Sequence, residues 1–286
     1  MTRLSRIAVR FLGAATLTLV NPAGAELVKP LEVGIVPNVS TRTLFAAYQP
    51  LRLYMEQTLG RPVILLTAPD FKLFYERTRK GEYDLVITPP HLARLAELDS
   101  GYVPLTTYQN DLGAFLLVAE NSPIKTVADL RGKKIGVPDR LALAGMAGLR
   151  WLEQKGLRAG NDFTLRVTAP HNTAVLSVMR GDIDAAIVGS GPYQLMPAKL
   201  HSGVRLLANL GTVINATFIA NAKLSKEERA QIKATLLSFA NETPEGRKFT
   251  KDNEFGGMRP LSSSDLKTMD SFAREAKQIL LSGVAQ

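Results

Sequence analysis

Five polar loops, each following an apolar run, carry the side chains suited to holding a small molecule: Pro37-Asn-Val-Ser-Thr-Arg42, Thr88-Pro-Pro-His91, Pro138-Asp-Arg-Leu141, Pro170-His-Asn-Thr173 and Gly189-Ser-Gly-Pro-Tyr193. Arg42 and Arg140 present planar guanidinium forks, which grip a carboxylate or oxyanion in two-pronged fashion; either is equally at home as a solvated loop arginine. His91 and His171 follow strand ends, where an imidazole can donate to an anion, cap a helix or orient a neighbour. Asn38, Thr41, Thr88, Asn172, Thr173, Ser190 and Tyr193 add neutral donors, with Asn172 and Thr173 also placed to cap a helix. Gly189 and Gly191 allow a guest to approach the backbone closely. His201 sits near a helix end and is expected at the surface. Trp151, in step with Leu149 and Leu152, is expected to pack.

The same residues make poor catalytic machinery. The three histidines include no i, i+4 pair and no His-Glu-x-x-His helix, so metal hydrolysis lacks ligands and no metal is expected. Gly189-Ser190-Gly191 is not a nucleophile elbow, because its first glycine adjoins the serine. Gln194 stands where a dinucleotide fingerprint needs its third glycine, and no Gly-x-x-x-x-Gly-Lys-Ser/Thr loop occurs. Zero cysteines exclude a disulfide framework, a thiolate metal site and a cysteine nucleophile. The reading is a binding protein rather than an enzyme, with no cofactor.

The 286 residues suffice for one large or two ordinary domains. Three arginines in the first ten residues, an apolar run from Phe11 to Val20, and Ala23-Gly24-Ala25 form a secretory signal peptide over residues 1–25, with the mature chain starting at Glu26. Its apolar stretch is about half the roughly 20 residues that a spanning helix needs. Without a cysteine after it there is no lipid anchor, so a periplasmic location in free solution is expected. Removing that segment lowers the formal charge from +9 to +6, a mild excess that suits anionic ligands. The bases form no stripe interleaved with aromatics, so no nucleic-acid partner is expected.

Strands and helices alternate through the mature chain. Leu31 to Val36 reads as a buried strand, Leu44 to Leu59 as a helix stopped by Gly60, Pro62 to Thr67 as a strand, Phe71 to Lys80 as a helix and Asp84 to Thr88 as a strand, together a parallel sheet. A second, mainly parallel set runs through strand Ala114 to Ala119, the strand ending at Val137, helix Ala142 to Lys155, strand Phe163 to Thr168, helix Asn172 to Arg180, strand Ile183 to Val188, helix Pro192 to Leu200 and strand Val204 to Leu207. Thr217 to Ala220 reads as a return strand, with helices over Lys226 to Ala240 and Asp265 to Leu281 capped at Ser225 and Ser264. Two doubly wound sheets imply a cleft beyond the carboxyl ends of the strands, where the polar loops lie.

The strings Leu31-Glu-Val-Gly-Ile-Val-Pro37, Leu51 to Gly60, Gly81-Glu-Tyr-Asp-Leu-Val-Ile87, Asn121-Ser-Pro123, Asp129-Leu-Arg-Gly-Lys-Lys-Ile-Gly-Val137 and Met179-Arg-Gly-Asp-Ile-Asp-Ala185, in this order, resemble the phosphate/phosphonate type of periplasmic solute-binding protein. The resemblance covers residues 31–281. It implies an α/β, type II periplasmic binding protein fold, with one lobe at 26–112 plus 215–286, a second at 118–208, and hinge crossings at 113–117 and 209–214. Tyr108, with Gln109, would then be a hinge contact. It also implies a monomer that captures a small anionic ligand by lobe closure and delivers it to an ABC permease, or alternatively presents it to a membrane histidine kinase. The pocket departs from that family. Its Ser-Thr-Ser-Gly cluster reads Ala142-Leu143-Ala144-Gly145 here, and the Pro and Asn of the preceding Asp-Pro-Asn turn become Arg140 and Leu141 after Asp139. A His-Glu-Thr string reads His171-Asn172-Thr173, and Thr88 replaces a tyrosine. Without that carboxylate and those hydroxyls, aminoalkylphosphonate specificity is not expected.

Overall fold

The computed structural model describes residues 29–282; the signal peptide and the expected mature start at Glu26 lie outside them. The chain runs β1 (Leu31–Ile35), α1 (Thr41–Leu59), β2 (Val63–Leu66), α2 (Phe71–Arg79), β3 (Leu85–Thr88), α3 (Pro90–Ser100), β4 (Val103–Tyr108) and β5 (Leu112–Ala119). After a short 3-10 turn follow β6 (Lys134–Val137), α4 (Leu143–Gln154), β7 (Thr164–Val167), α5 (His171–Arg180), β8 (Ala185–Gly189), α6 (Ser190–Gln194), α7 (Ala198–His201) and β9 (Val204–Val213). It closes with β10 (Thr217–Ala220), α8 (Lys226–Glu242), α9 (Pro244–Asp252), β11 (Met258–Pro260), α10 (Ser263–Lys267) and α11 (Asp270–Leu281).

These strands form two sheets flanked by helices, ordered β11-β4-β10-β3-β1-β2 and β7-β6-β8-β5-β9. Both are mixed rather than parallel. β1 runs parallel to β2 and β3, but β10 returns antiparallel between β3 and β4. In the second sheet β6 is parallel to β7 and β8, while β5 is antiparallel to β8 and β9. The physical reason is connectivity: strands joined by a helical crossover come out parallel, whereas β5 and β10 enter their sheets from the other lobe. The chain passes between the sheets after Tyr108 and after Val213. Of the segments expected as crossings, 113–117 and 209–214, all but Ile214 are strand, held in the ladder of β5 with β9.

Local chemistry sets the helix ends. Ser40 accepts from the Thr43 N–H to start α1, and Gly60 takes a left-handed φ of 63° to stop it, a conformation costly for a residue with a Cβ. The expected helix over Pro192 to Leu200 is two short pieces, since Pro197 lacks the N–H to continue the first and instead opens α7. The helix over Asp265 to Leu281 is likewise broken between Lys267 and Asp270, and its cap is Ser262, not Ser264. Two strands escape the pattern because proline interrupts them: Pro104 in β4 lies at a register shift against β10, and Pro260 ends the edge strand β11.

Apolar burial runs across the lobe boundary. Leu141, Ala142 and Met146 of the second lobe join a cluster made by Val36, Ala68, Phe71, Phe74 and Leu92 of the first. The sheets are thus seen closed on one another, with part of the seam packed like a core.

Candidate functional site

A cavity opens at this seam, at the carboxyl ends of β1, β3 and the strands facing them. Its walls are Ile35, Val36, Asn38, Tyr48, Phe71, Ile87, Pro89 and Pro90 from the side of the first sheet, Leu112, Ala142, Leu143, Ala144, His171 and Pro192 from the side of the second, and Ile214 and Ala216 from the link between β9 and β10. About 50 Å³ is reachable by water, room for a few water-sized groups.

Three polar features stand out in an apolar lining. The first is the start of α4, whose cap residue Ala142 offers no side-chain hydrogen bond. Among the described residues no partner serves the N–H groups of Leu143, Ala144 and Gly145, and such orphan donors carry the positive end of the helix dipole. The second is His171, which is 3% exposed. Its Nδ1 accepts from the Gly189 N–H at 3.3 Å, so the ring proton is on Nε2. Burial pushes its pKa down to about 3, which keeps the ring neutral. The third is Asn38, whose Oδ1 is buried and, among the described residues, has no partner. Tyr48 completes the set; burial holds its hydroxyl at a pKa of about 12, so it remains a neutral donor.

Cross-lobe hydrogen bonds frame the cavity. The carbonyl of Asn38 accepts from the His171 N–H at 3.2 Å. His91, fully buried, donates from Nε2 to the carbonyl of Leu141 at 2.9 Å. Burial lowers the His91 pKa to about 4, so it too is neutral. Between the lobes Asp139 is 4% exposed. Burial raises its pKa to about 6, against the backbone N–H groups of Leu141, at 2.7 Å, and Phe71, and with Asp70 adding repulsion.

The structure sorts the residues proposed from sequence. Asn38 and His171 line the cavity; Asn172 and Thr173 follow His171 half-buried, and Pro170, not either of them, occupies the cap position of α5. Arg42 and Arg140 are exposed and do not line it, and Thr41 is exposed beside Arg42. A residue flanking a strand end can face either way, and here the fork-bearing side chains face solvent. His91 is a cross-lobe tie. Thr88 is buried at the end of β3, its Oγ1 unpartnered and its carbonyl accepting from Thr217 Oγ1 at 2.8 Å. Tyr108 is core, stacked on Phe255 at 4.2 Å. Ser190 accepts from the Gly113 N–H at 2.8 Å, which ties the start of β5 to the second lobe. Tyr193 stacks on His201 at 4.4 Å and meets Phe115 edge-on, away from the cavity; His201 is accordingly half-buried, not a free surface residue. Trp151 sits half-buried against the second-lobe core. The apolar walls, notably Tyr48, Phe71, Leu112 and Ile214, went unforeseen. Their one sequence signal was the replacement of hydroxyls by Ala142-Leu143-Ala144.

Residues 33–266 match the family described as ABC transporter, phosphonate, periplasmic substrate-binding protein.

The chain belongs to that family.

Its fold agrees: PhnD1 from Prochlorococcus marinus (MIT 9301), solved in complex with methylphosphonate, superposes with a TM-score of 0.78 at 14% identity, covering 88% of this chain and 99% of that one. Among curated proteins, one from Escherichia coli K12 named for binding aliphatic sulfonates is 33% identical over 171 residues, 58% of this chain and 51% of the relative. The tetrathionate sensor histidine kinase TtrS of Salmonella typhimurium is 29% identical over 170 residues, 54% of this chain and 28% of the relative. The chain therefore spans about half or less of the curated relatives it matches. Solute binding is this family's role, and the cavity lies between the two sheets.

Proposed function

We propose that this protein captures a small anionic solute in the periplasm by lobe closure and hands it to an ABC permease, without catalysing a reaction. The observation that carries the reading is the cavity at the lobe seam, where unpaired amides of α4 and the neutral Nε2–H of His171 meet across from Asn38. Such a helix start binds anions without further charge. Phosphonates and sulfonates, the ligands named for relatives, are the first candidates. Ligand bridging both lobes favours the closed form by its differential affinity. The protein acts as a monomer with lobes about 26–112 plus 215–286 and 118–208, after removal of residues 1–25.

Thermal-shift titration of the purified protein with alkylphosphonates, alkylsulfonates, phosphate and sulfate, combined with small-angle scattering, tests this. A cognate anion raises the melting temperature by mass action and leaves a compact scattering profile. No stabilisation by any anion would contradict it. The likeness to TtrS supports a second reading, in which the closed lobes are presented to a histidine kinase; co-purification with a kinase rather than a permease would favour it.

A further inference from the structure

We infer that the cavity selects by charge state, taking a small monoanion with a compact apolar body and rejecting the corresponding dianion. This rests on the reading of the cavity as the solute site.

Among the described residues that line the cavity, none is Lys, Arg, Asp or Glu. Its polar side chains are Asn38, Tyr48 and His171. His171 is buried and, among the described residues, its ring makes a hydrogen bond through Nδ1 alone, which leaves the Nε2–H as a donor for a guest in the cavity. The twelve-residue helix α4 adds the unpaired amides of Leu143, Ala144 and Gly145. Together these give a helix end worth roughly half a unit charge and one neutral ring donor.

Desolvation cost grows as the square of the charge, so a dianion pays about four times what a monoanion pays. Attraction to fixed dipoles grows only in proportion to the charge. With a full cation in the pocket the second charge could be matched, but Arg42 and Arg140, the candidates on neighbouring loops, are exposed. Asp139, buried three residues before Ala142, carries a negative charge at neutral pH and opposes a second one further. The opposite wall, Ile35, Val36, Phe71 and Ile87, suits an alkyl group rather than hydrated oxygens. Hydroxyls at the positions of Ala142, Leu143 and Ala144 would add neutral donors to offset a second charge, and the wall has none there.

Methanesulfonate keeps one charge across neutral pH, whereas methylphosphonate loses its second proton within that range. Calorimetric titration of the purified protein with each at pH 6.5, 7.5 and 8.5 separates the cases. The expected result is a methanesulfonate Kd constant within about twofold, and a methylphosphonate Kd that weakens with pH, approaching about tenfold per unit once the dianion dominates. The sulfonate series also reports any titration of the protein itself. A methylphosphonate Kd that is flat or tightens as pH rises overturns the inference and leaves the proposed function standing. Binding of neither probe at any pH overturns the inference, whereas the proposed function falls only if no anion of the thermal-shift series stabilises the protein.

Discussion

The imidazole of His91, on the first turn of α3, reaches across the lobe boundary and donates from Nε2 to the main-chain carbonyl of Leu141 at 2.9 Å. Leu141 is itself fully buried in the first lobe's apolar cluster. One residue of the second lobe is thus held by packing and by a hydrogen bond, and the next three, Ala142 to Ala144, form the cavity wall. The tie and the cavity wall thus share one stretch of chain.

His91→Leu keeps the volume but removes the donor and leaves the Leu141 carbonyl buried and unpaired. A buried group so orphaned costs about 1 to 3 kcal/mol. The expected outcome is a loss of affinity for the solute of about five- to 150-fold, with a larger radius of gyration in scattering. Unchanged affinity and scattering would show that the lobes close without this tie.

A second tie joins α4 to α11. Arg150 of α4 contacts Glu275 Oε2 at 2.5 Å and Ser271 Oγ at 3.2 Å, and its guanidinium lies 3.8 Å from the centre of the Phe272 ring, all on α11 of the first lobe. Both partners of the ion pair are 38% exposed, so the charge pair is worth little alone, and the ring contact adds about 0.5 to 1 kcal/mol. Arg150→Ala should weaken solute affinity by about three- to fivefold without lowering the melting temperature by more than a few degrees. Arg150→Lys, which keeps the charge but loses the planar fork, should recover less than half of the loss.

Acid should weaken the fold through its histidines and be partly offset by Asp139. His91 and His171 have folded pKa values near 4 and 3, below the ordinary 6.5, so the stability they contribute is present above 6.5 and lost as pH falls through those values. Asp139 runs the other way: its folded value of about 6 exceeds the ordinary 3.8, so the folded state gains as pH falls through 6. Denaturant melts from pH 4 to 8 should show net loss below pH 6. In Asp139→Asn that loss steepens, and stability at pH 7.5 rises by on the order of 1 kcal/mol, because each pKa unit is about 1.4 kcal/mol and the amide's own burial returns part of it. A variant with the same pH profile as the parent would show that Asp139 does not titrate at the seam.

Much of this was legible in the residues. The alternation of apolar runs with capped helices placed β1, α1, β3 and α5 within a few residues, because burial on both faces and helix caps act locally. His171 and Asn38 line the cavity because each follows a strand in the loops at the seam. Arg42 and Arg140 were not excluded by the same logic, since side-chain direction in a loop depends on neighbours remote in sequence. His91 looked like an anion donor and is a structural tie, a role that requires Leu141, 50 residues away. The insertion of β10 between β3 and β4 is likewise a long-range fact that no local pattern encodes.

The most direct test of the account is the amide spectrum of isotopically labelled protein, recorded with and without a saturating anion that stabilises it. Donation to a bound anion moves an amide proton downfield. The account predicts the largest downfield shifts at Leu143, Ala144 and Gly145, with a matching change at the His171 Nε2–H. Shifts centred elsewhere, with these amides unmoved, would place the ligand outside the seam cavity and contradict it.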